Sequence, residues 1–185
     1  NGRINFGKIL KSIFVILSTG LVVYVVLLWQ GWSSFLFAWI LNFMLMTMVL
    51  FFTELFKPRL GSNYYTSKKW EKEGKIYKWI GVNLFRKLLV LIGWEKLNKK
   101  ENPVKKNPKA LLHLEYMTRQ SEFGHLIIFF IVLAFTFYVA IRFGIIASLW
   151  LLSLNVLLNF YPIILQRYNR PRIKKLLKQY PIKTS

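Results

Sequence analysis

Four runs of nearly unbroken apolar sequence, each about as long as a bilayer is thick, constrain this chain more than any other feature. They cover residues 9–29, 35–56, 125–143 and 144–165. A helix needs roughly 20 apolar residues to cross the hydrocarbon layer. In lipid the backbone must find its hydrogen-bond partners within its own segment, and none of the runs alternates as a barrel strand would. The predicted fold class is therefore all-α, an integral membrane helical bundle with four transmembrane helices, and residues 1–185 read as a single membrane domain.

The placement of charge orients the bundle. Of 27 Lys and Arg residues, sixteen lie between Lys57 and Arg119, seven between Arg167 and Lys183, and three (Arg3, Lys8 and Lys11) before or at the start of the first run; only Arg142 lies elsewhere. The connection Gln30 to Ser34 is uncharged and the turn around Arg142 to Gly144 is very short, which suits outward-facing hairpins. With both termini inside, nearly every basic residue faces the cytoplasm and its anionic lipids. The expected location is a bacterial inner (plasma) membrane, multi-pass, and a net charge of +20 distributed this way does not call for nucleic acid. The first run lacks a small-residue cleavage site ahead of polar sequence, so a retained helix is expected there.

Between the second and third runs, residues 57–124 form the expected cytoplasmic segment. Residues Ile76 to Leu97 mix apolar positions at helical spacing with tryptophan and basic flanks, the pattern of an interfacial helix, with Gly81 and Gly93 as its weak points. A lysine-rich loop is predicted over Asn98 to Lys109, carrying Pro103 and Pro108. Ala110 to Gly124 is helical in composition and leads into the third span, and residues 166–185 form a basic cytoplasmic tail.

The chain contains neither cysteine nor aspartate, which excludes disulfides, a cysteine nucleophile and any Ser-His-Asp triad. What remains is a polar stripe. On a helix Glu115, Thr118, Glu122 and His125 follow steps of three, four and three and share one face. Glu122 could orient the His125 imidazole, which could then take a proton from a hydroxyl. The same pattern also fits a carboxylate paired with a nearby Arg or Lys beside an interfacial histidine, and the residues leave both readings open. A di-iron site would need a second E-x-x-H motif, so no metal or cofactor is predicted. Asn42 and Asn155 suit helix-to-helix hydrogen bonds within the membrane, and Asn159 is a better pocket candidate. The fourth run ends in the sequence QRYNRPR, Gln166 to Arg172, whose amides and planar guanidinium forks can hydrogen-bond a ligand in a fixed orientation.

Three blocks carry a family resemblance: Trp70 to Trp79 (WEKEGKIYKW), Thr118 to His125 (TRQSEFGH), and Asn159 followed by QRYNRPR. In order and spacing they resemble the glycosyl-diaponeurosporenoate acyltransferases, small membrane proteins of staphyloxanthin-type carotenoid synthesis, over roughly Trp70 to Leu177. Here Gln120 stands where the family pattern has Arg, and Pro162 falls one residue later relative to Asn159. The resemblance implies esterification of a glycolipid-like terpenoid hydroxyl by a fatty acyl group. By motif position it implies Glu122 and His125 as candidate catalytic residues. It likewise implies Asn159, Gln166, Arg167, Tyr168, Asn169, Arg170 and Arg172 as candidate substrate-binding residues.

The expected function is thus transfer of a fatty acyl group to a hydroxyl of a glycolipid or glycosylated terpenoid at the cytoplasmic interface. The partners are membrane lipids, the lipid-linked or glycosylated hydrophobic substrate and an acyl donor. With no evident activated nucleophile, direct transfer in a ternary complex is the simpler scheme. The alternative is a non-catalytic subunit or assembly factor of a larger membrane protein complex.

Overall fold

Continuous apolarity gives long helices, and the polar residues at their ends determine where each one stops. The computed structural model describes residues 6–94, 96 and 107–180, and among these there are helices and no strands. Helix α1 spans Phe6–Gln30 and ends where Gly31 takes a left-handed conformation at φ 76° and donates its N–H to the Leu27 carbonyl at 2.8 Å. Helix α2 spans Phe35–Phe56, with the Ser34 hydroxyl accepting the Phe37 N–H at 3.0 Å as an N-cap.

After a single turn at Asn63–Tyr65 and a kinked 3-10 segment at Lys69–Lys78 comes the ten-residue helix α3, Val82–Leu91. Helix α4 runs unbroken over Pro108–Phe143. The Asn107 side chain accepts the Lys109 N–H at 2.9 Å, and Pro108 occupies a position that needs no donor. A short 3-10 turn at Ile146–Ser148 leads to α5, Leu149–Asn155, a π-helical turn at Val156–Phe160, and α6, Tyr161–Leu177.

Among the described residues, four helical stretches are long and apolar enough to cross a membrane: Phe6–Gln30, Phe35–Phe56, Pro108–Phe143 and Ile146–Leu177. The third and fourth exceed the predicted 125–143 and 144–165. Ala110 to Gly124 continues directly into the third, and the QRYNRPR sequence, read as the start of a tail, is helical through Leu177. The interfacial helix expected over Ile76 to Leu97, of which Glu95 and Leu97 lie outside the described residues, is interrupted at its glycines. Gly81 and Gly93 are both left-handed, at φ 84° and 76°, and leave Val82–Leu91 between them. Most of the predicted lysine-rich loop, residues 98–106, and residues 181–185 of the tail lie outside the described residues.

The described residues fall into two compact units. The first takes residues 1–58 and 124–160. Its core is a seam of Phe37, Ala38, Leu41, Leu45 and Val49 on α2 against Ile128, Val132 and Val139 on α4 and Leu151 and Leu154 on α5. Gly124 brings α4 close to α2, for a β-carbon there would stand 3.2 Å from Val49 Cγ1. Helix α1 fully buries none of its residues; Val23, Val26 and Leu27 pack against the core, and its outer apolar side chains, such as Phe14, Leu21 and Leu28, are left to meet lipid.

The second unit takes residues 59–123 and 161–185. Leu60, Tyr65, Tyr77, Val82, Phe85, Leu111, Ile163, Ile164, Tyr168 and Ile173 are buried there, and Phe85 stacks on Tyr161 at 5.2 Å between ring centroids. Its polar residues converge on α6.

Candidate functional site

Within the second unit, Glu71 of the first sequence block and Thr118 and Glu122 of the second meet around the arginine guanidinium groups of the third, on α6. Arg167 and Arg170 are three residues apart and so share a helix face. The Nε of Arg167 donates to Glu122 Oε1 at 2.7 Å, and its Nη1 pairs with Glu71 Oε1. Arg170 pairs through Nη2 with Glu122 Oε2. It also donates through Nε to the Thr118 hydroxyl at 3.1 Å and through Nη1 to the Tyr65 carbonyl at 3.2 Å. Glu122 is 0% exposed and Glu71 1%, so these partners replace the hydrogen bonds that water would otherwise supply.

Aromatic rings cover the cluster. Arg167 lies 4.5 Å from the centroid of Tyr64, and Arg170 lies 5.4 Å from that of Tyr65. Burial, reinforced by the Glu122 carboxylate, pushes both phenols above the ordinary tyrosine range. Beside them, Arg119 pairs with Glu115 at 2.7 Å and reaches the Leu60 carbonyl at 2.6 Å. A small pocket opens here, lined by Tyr65, Ser67, Glu71, Arg167, Arg170 and Lys174 among others.

The block Trp70 to Trp79 is shaped to reach this cluster. Lys72, Glu73 and Gly74 all have positive φ, at 46°, 55° and 86°, and turn the chain back on itself. At Gly74 a β-carbon would stand 3.2 Å from both Cα and the carbonyl oxygen of Tyr168, so glycine permits the close approach to α6. Pro171 favours the same approach by withdrawing the N–H that the Arg167 carbonyl would otherwise receive.

Within the first unit, His125 has a different set of neighbours. Its Nδ1 lies 3.3 Å from Asn159 Oδ1. Asn159 Nδ2 donates to Asn42 Oδ1 at 2.7 Å and to Asn155 Oδ1 at 2.9 Å. All three asparagines are buried.

These contacts redistribute the roles expected from sequence. Glu122 was read as the orienter of His125, but both of its oxygens engage arginines, and the His125 ring is held by Asn159. Two full positive charges are stronger partners for a buried carboxylate than a neutral imidazole. Arg167 and Arg170, expected to bind substrate, are already paired with Glu71 and Glu122. Gln166 donates to the Ser121 hydroxyl at 3.2 Å, the Tyr168 ring is buried beneath Arg172 at 3.5 Å, and Asn169 is half-buried on the same helix. Asn42 and Asn155, expected to bond between helices, both do so: Asn42 accepts from Asn159, and Asn155 donates to the Phe129 carbonyl of α4 at 3.0 Å.

Glu71, Tyr64 and Tyr65 were not singled out by sequence. Glu71 could have been found by charge balance, since several arginines at the end of an apolar helix need carboxylates and the chain has only seven acidic residues.

Neither a curated protein nor a solved structure matches the chain. The family model for glycosyl-4,4'-diaponeurosporenoate acyltransferase matches residues 61–179, which takes in Glu71, the α4 stripe and the arginines of α6. The chain belongs to the glycosyl-4,4'-diaponeurosporenoate acyltransferase family.

Proposed function

We propose that the protein transfers a fatty acyl group to a hydroxyl of a glycosylated terpenoid or related glycolipid at the cytoplasmic face of a bacterial inner membrane, with both termini on that side. The family match over residues 61–179 carries this reading, because it includes all the blocks that build the polar cluster. His125 serves as general base for the acceptor hydroxyl. As the hydroxyl oxygen attacks the acyl carbonyl carbon, the proton passes to the imidazole, the bond from that carbon to the donor's leaving group breaks, and the leaving group takes up the proton. The chain has no cysteine, so direct transfer between bound donor and acceptor needs no thioester on the protein.

The groups that line the small pocket, Tyr65, Ser67, Glu71, Arg167, Arg170 and Lys174 among them, suit hydrogen bonds to the hydroxyls of a headgroup. Carboxylate and guanidinium groups together accept from and donate to sugar hydroxyls, whereas paired arginines have less charge to offer a free anion. In this reading Glu122 maintains the architecture by holding Arg167 and Arg170.

The test is untargeted lipid mass spectrometry on matched cells expressing wild type or His125→Ala at equal membrane abundance. A glycolipid or terpenoid gaining an acyl increment with wild type alone supports transfer and identifies the product. Indistinguishable lipid profiles in cells shown to contain candidate acceptors would refute the role of His125.

A further inference from the structure

We infer that three buried asparagines fix the tautomer of His125, with the proton on Nδ1 and the basic lone pair on Nε2, so that Asn42 and Asn155 are positioning residues acting through Asn159. The consequence for transfer rests on the reading of His125 as the base; the tautomer itself does not.

The orientation of each amide follows from fixed points at the ends of the network. A backbone carbonyl accepts and never donates. Asn42 lies 2.8 Å from the Ala38 carbonyl, so its NH2 must face that oxygen and its Oδ1 is left for Asn159. Asn155 lies 3.0 Å from the Phe129 carbonyl, which fixes it in the same way. Asn159 therefore meets two side-chain oxygens, at 2.7 and 2.9 Å, and the two hydrogens of its NH2 satisfy both. Its own Oδ1 is the end that remains, and it stands 3.3 Å from Nδ1 of His125. An acceptor opposite a ring nitrogen requires a proton on that nitrogen. In neutral imidazole the lone pair then belongs to Nε2.

The reverse arrangement is costly at every step. Turning Asn159 alone would set its oxygen against the oxygens of Asn42 and Asn155. Turning all three would set two amide oxygens against backbone carbonyls in a region where Asn155 is 0% exposed and Asn159 2%. Asparagine also suits the setting chemically, for it holds a tautomer as a carboxylate would without placing another charge among apolar helices.

The test is nuclear magnetic resonance of the full chain in lipid nanodiscs with isotopically labelled histidine. The chain has two histidines, and His113→Gln, at an exposed position, isolates the signal of His125. We expect an Nδ1–H neutral ring at neutral pH. An Nε2–H ring, an even mixture or an imidazolium overturns the inference, and this readout requires neither turnover nor a variant in the network. In Asn42→Leu/Asn155→Leu, compared where size exclusion shows intact protein, the preference for Nδ1–H should be lost; an unchanged spectrum would remove the asparagines as its cause. A lipid profile unaltered by His125→Ala would instead refute the base, a failure distinct from that of the tautomer.

Discussion

Arg170 joins Glu122 to Thr118 through a single guanidinium. Its Nη2 pairs with Glu122 Oε2 and donates to the Thr118 carbonyl at 3.2 Å, while Nε donates to the Thr118 hydroxyl at 3.1 Å. Lysine would keep the charge but could not form this planar fork. Arg170→Lys is expected to lower stability by about 1.5–3 kcal/mol, the scale of a lost charge-assisted hydrogen bond. Chemical unfolding in detergent measures it, and an unchanged midpoint would contradict the geometry.

Arg167 links two carboxylates, and the link to Glu71 should be separable from the link to Glu122. A double-mutant cycle with Glu71→Gln and Arg167→Gln is expected to show a coupling of about 0.5–3 kcal/mol, as found for residues in direct contact. The two single losses should sum to more than the loss in the double variant, because each single change removes one side of the buried Arg167–Glu71 pair and leaves the other without that contact. Strict additivity would mean that the pair contributes nothing beyond its separate residues.

The four helices were legible because apolar length alone determines them, and Gly81 and Gly93 were legible as breaks because each stands at an end of α3. The partner of Glu122 was not. Helical spacing shows that Glu122 and His125 share a face, but it carries no information about the cations that reach this face from 45 and 48 residues away. Glu71 was missed for a related reason. It lies in a 3-10 segment whose direction depends on three consecutive left-handed residues, Lys72, Glu73 and Gly74, two of them not glycine. The contact of Asn159 with His125 was within reach of the hairpin argument, since a short turn brings the fourth run back along the third.

Gly74 should tolerate no side chain. Its φ of 86° is left-handed and its β-carbon would press on the Tyr168 backbone, so Gly74→Ala is expected to cost about 1–3 kcal/mol from strain at the site. Gly61→Ala provides the control, because nothing lies within 4 Å of that position and its φ is not in the left-handed range. Equal unfolding midpoints for the two variants would contradict the close approach.

Tyr77 is buried and its hydroxyl has no hydrogen-bond partner among the described residues, while burial and the neighbouring Glu71 carboxylate push its pKa up to about 12. A phenol raised above its unfolded value of 10.0 favours the folded state fully below pH 10 and loses that contribution as pH climbs through about 12. Wild type is therefore expected to lose stability across this window. Tyr77→Phe should lose less of it there, and at neutral pH should be as stable as wild type or more so. Urea titrations at pH 8 and about 11 measure both effects, and identical pH slopes would exclude Tyr77 as a contributor.

Helix α3 has two unlike faces, and the outer one should enter the membrane surface. Val82 and Phe85 are buried on one side, while Leu84 and Leu91 are 72% and 84% exposed on the other, with Trp79 just before the helix at 91%. So much apolar surface next to Lys75, Lys78, Arg86 and Lys87 fits a helix lying among anionic headgroups, its rings and leucines below them and its cations level with the phosphates. Because the chain has several tryptophans, the measurement requires a variant that keeps Trp79 alone. Quenching of that residue by lipids brominated along the acyl chain should be strong, and Leu84→Asp/Leu91→Asp should weaken it severalfold with the four long helices intact. Quenching no greater than that by a water-soluble quencher would place α3 in solvent instead.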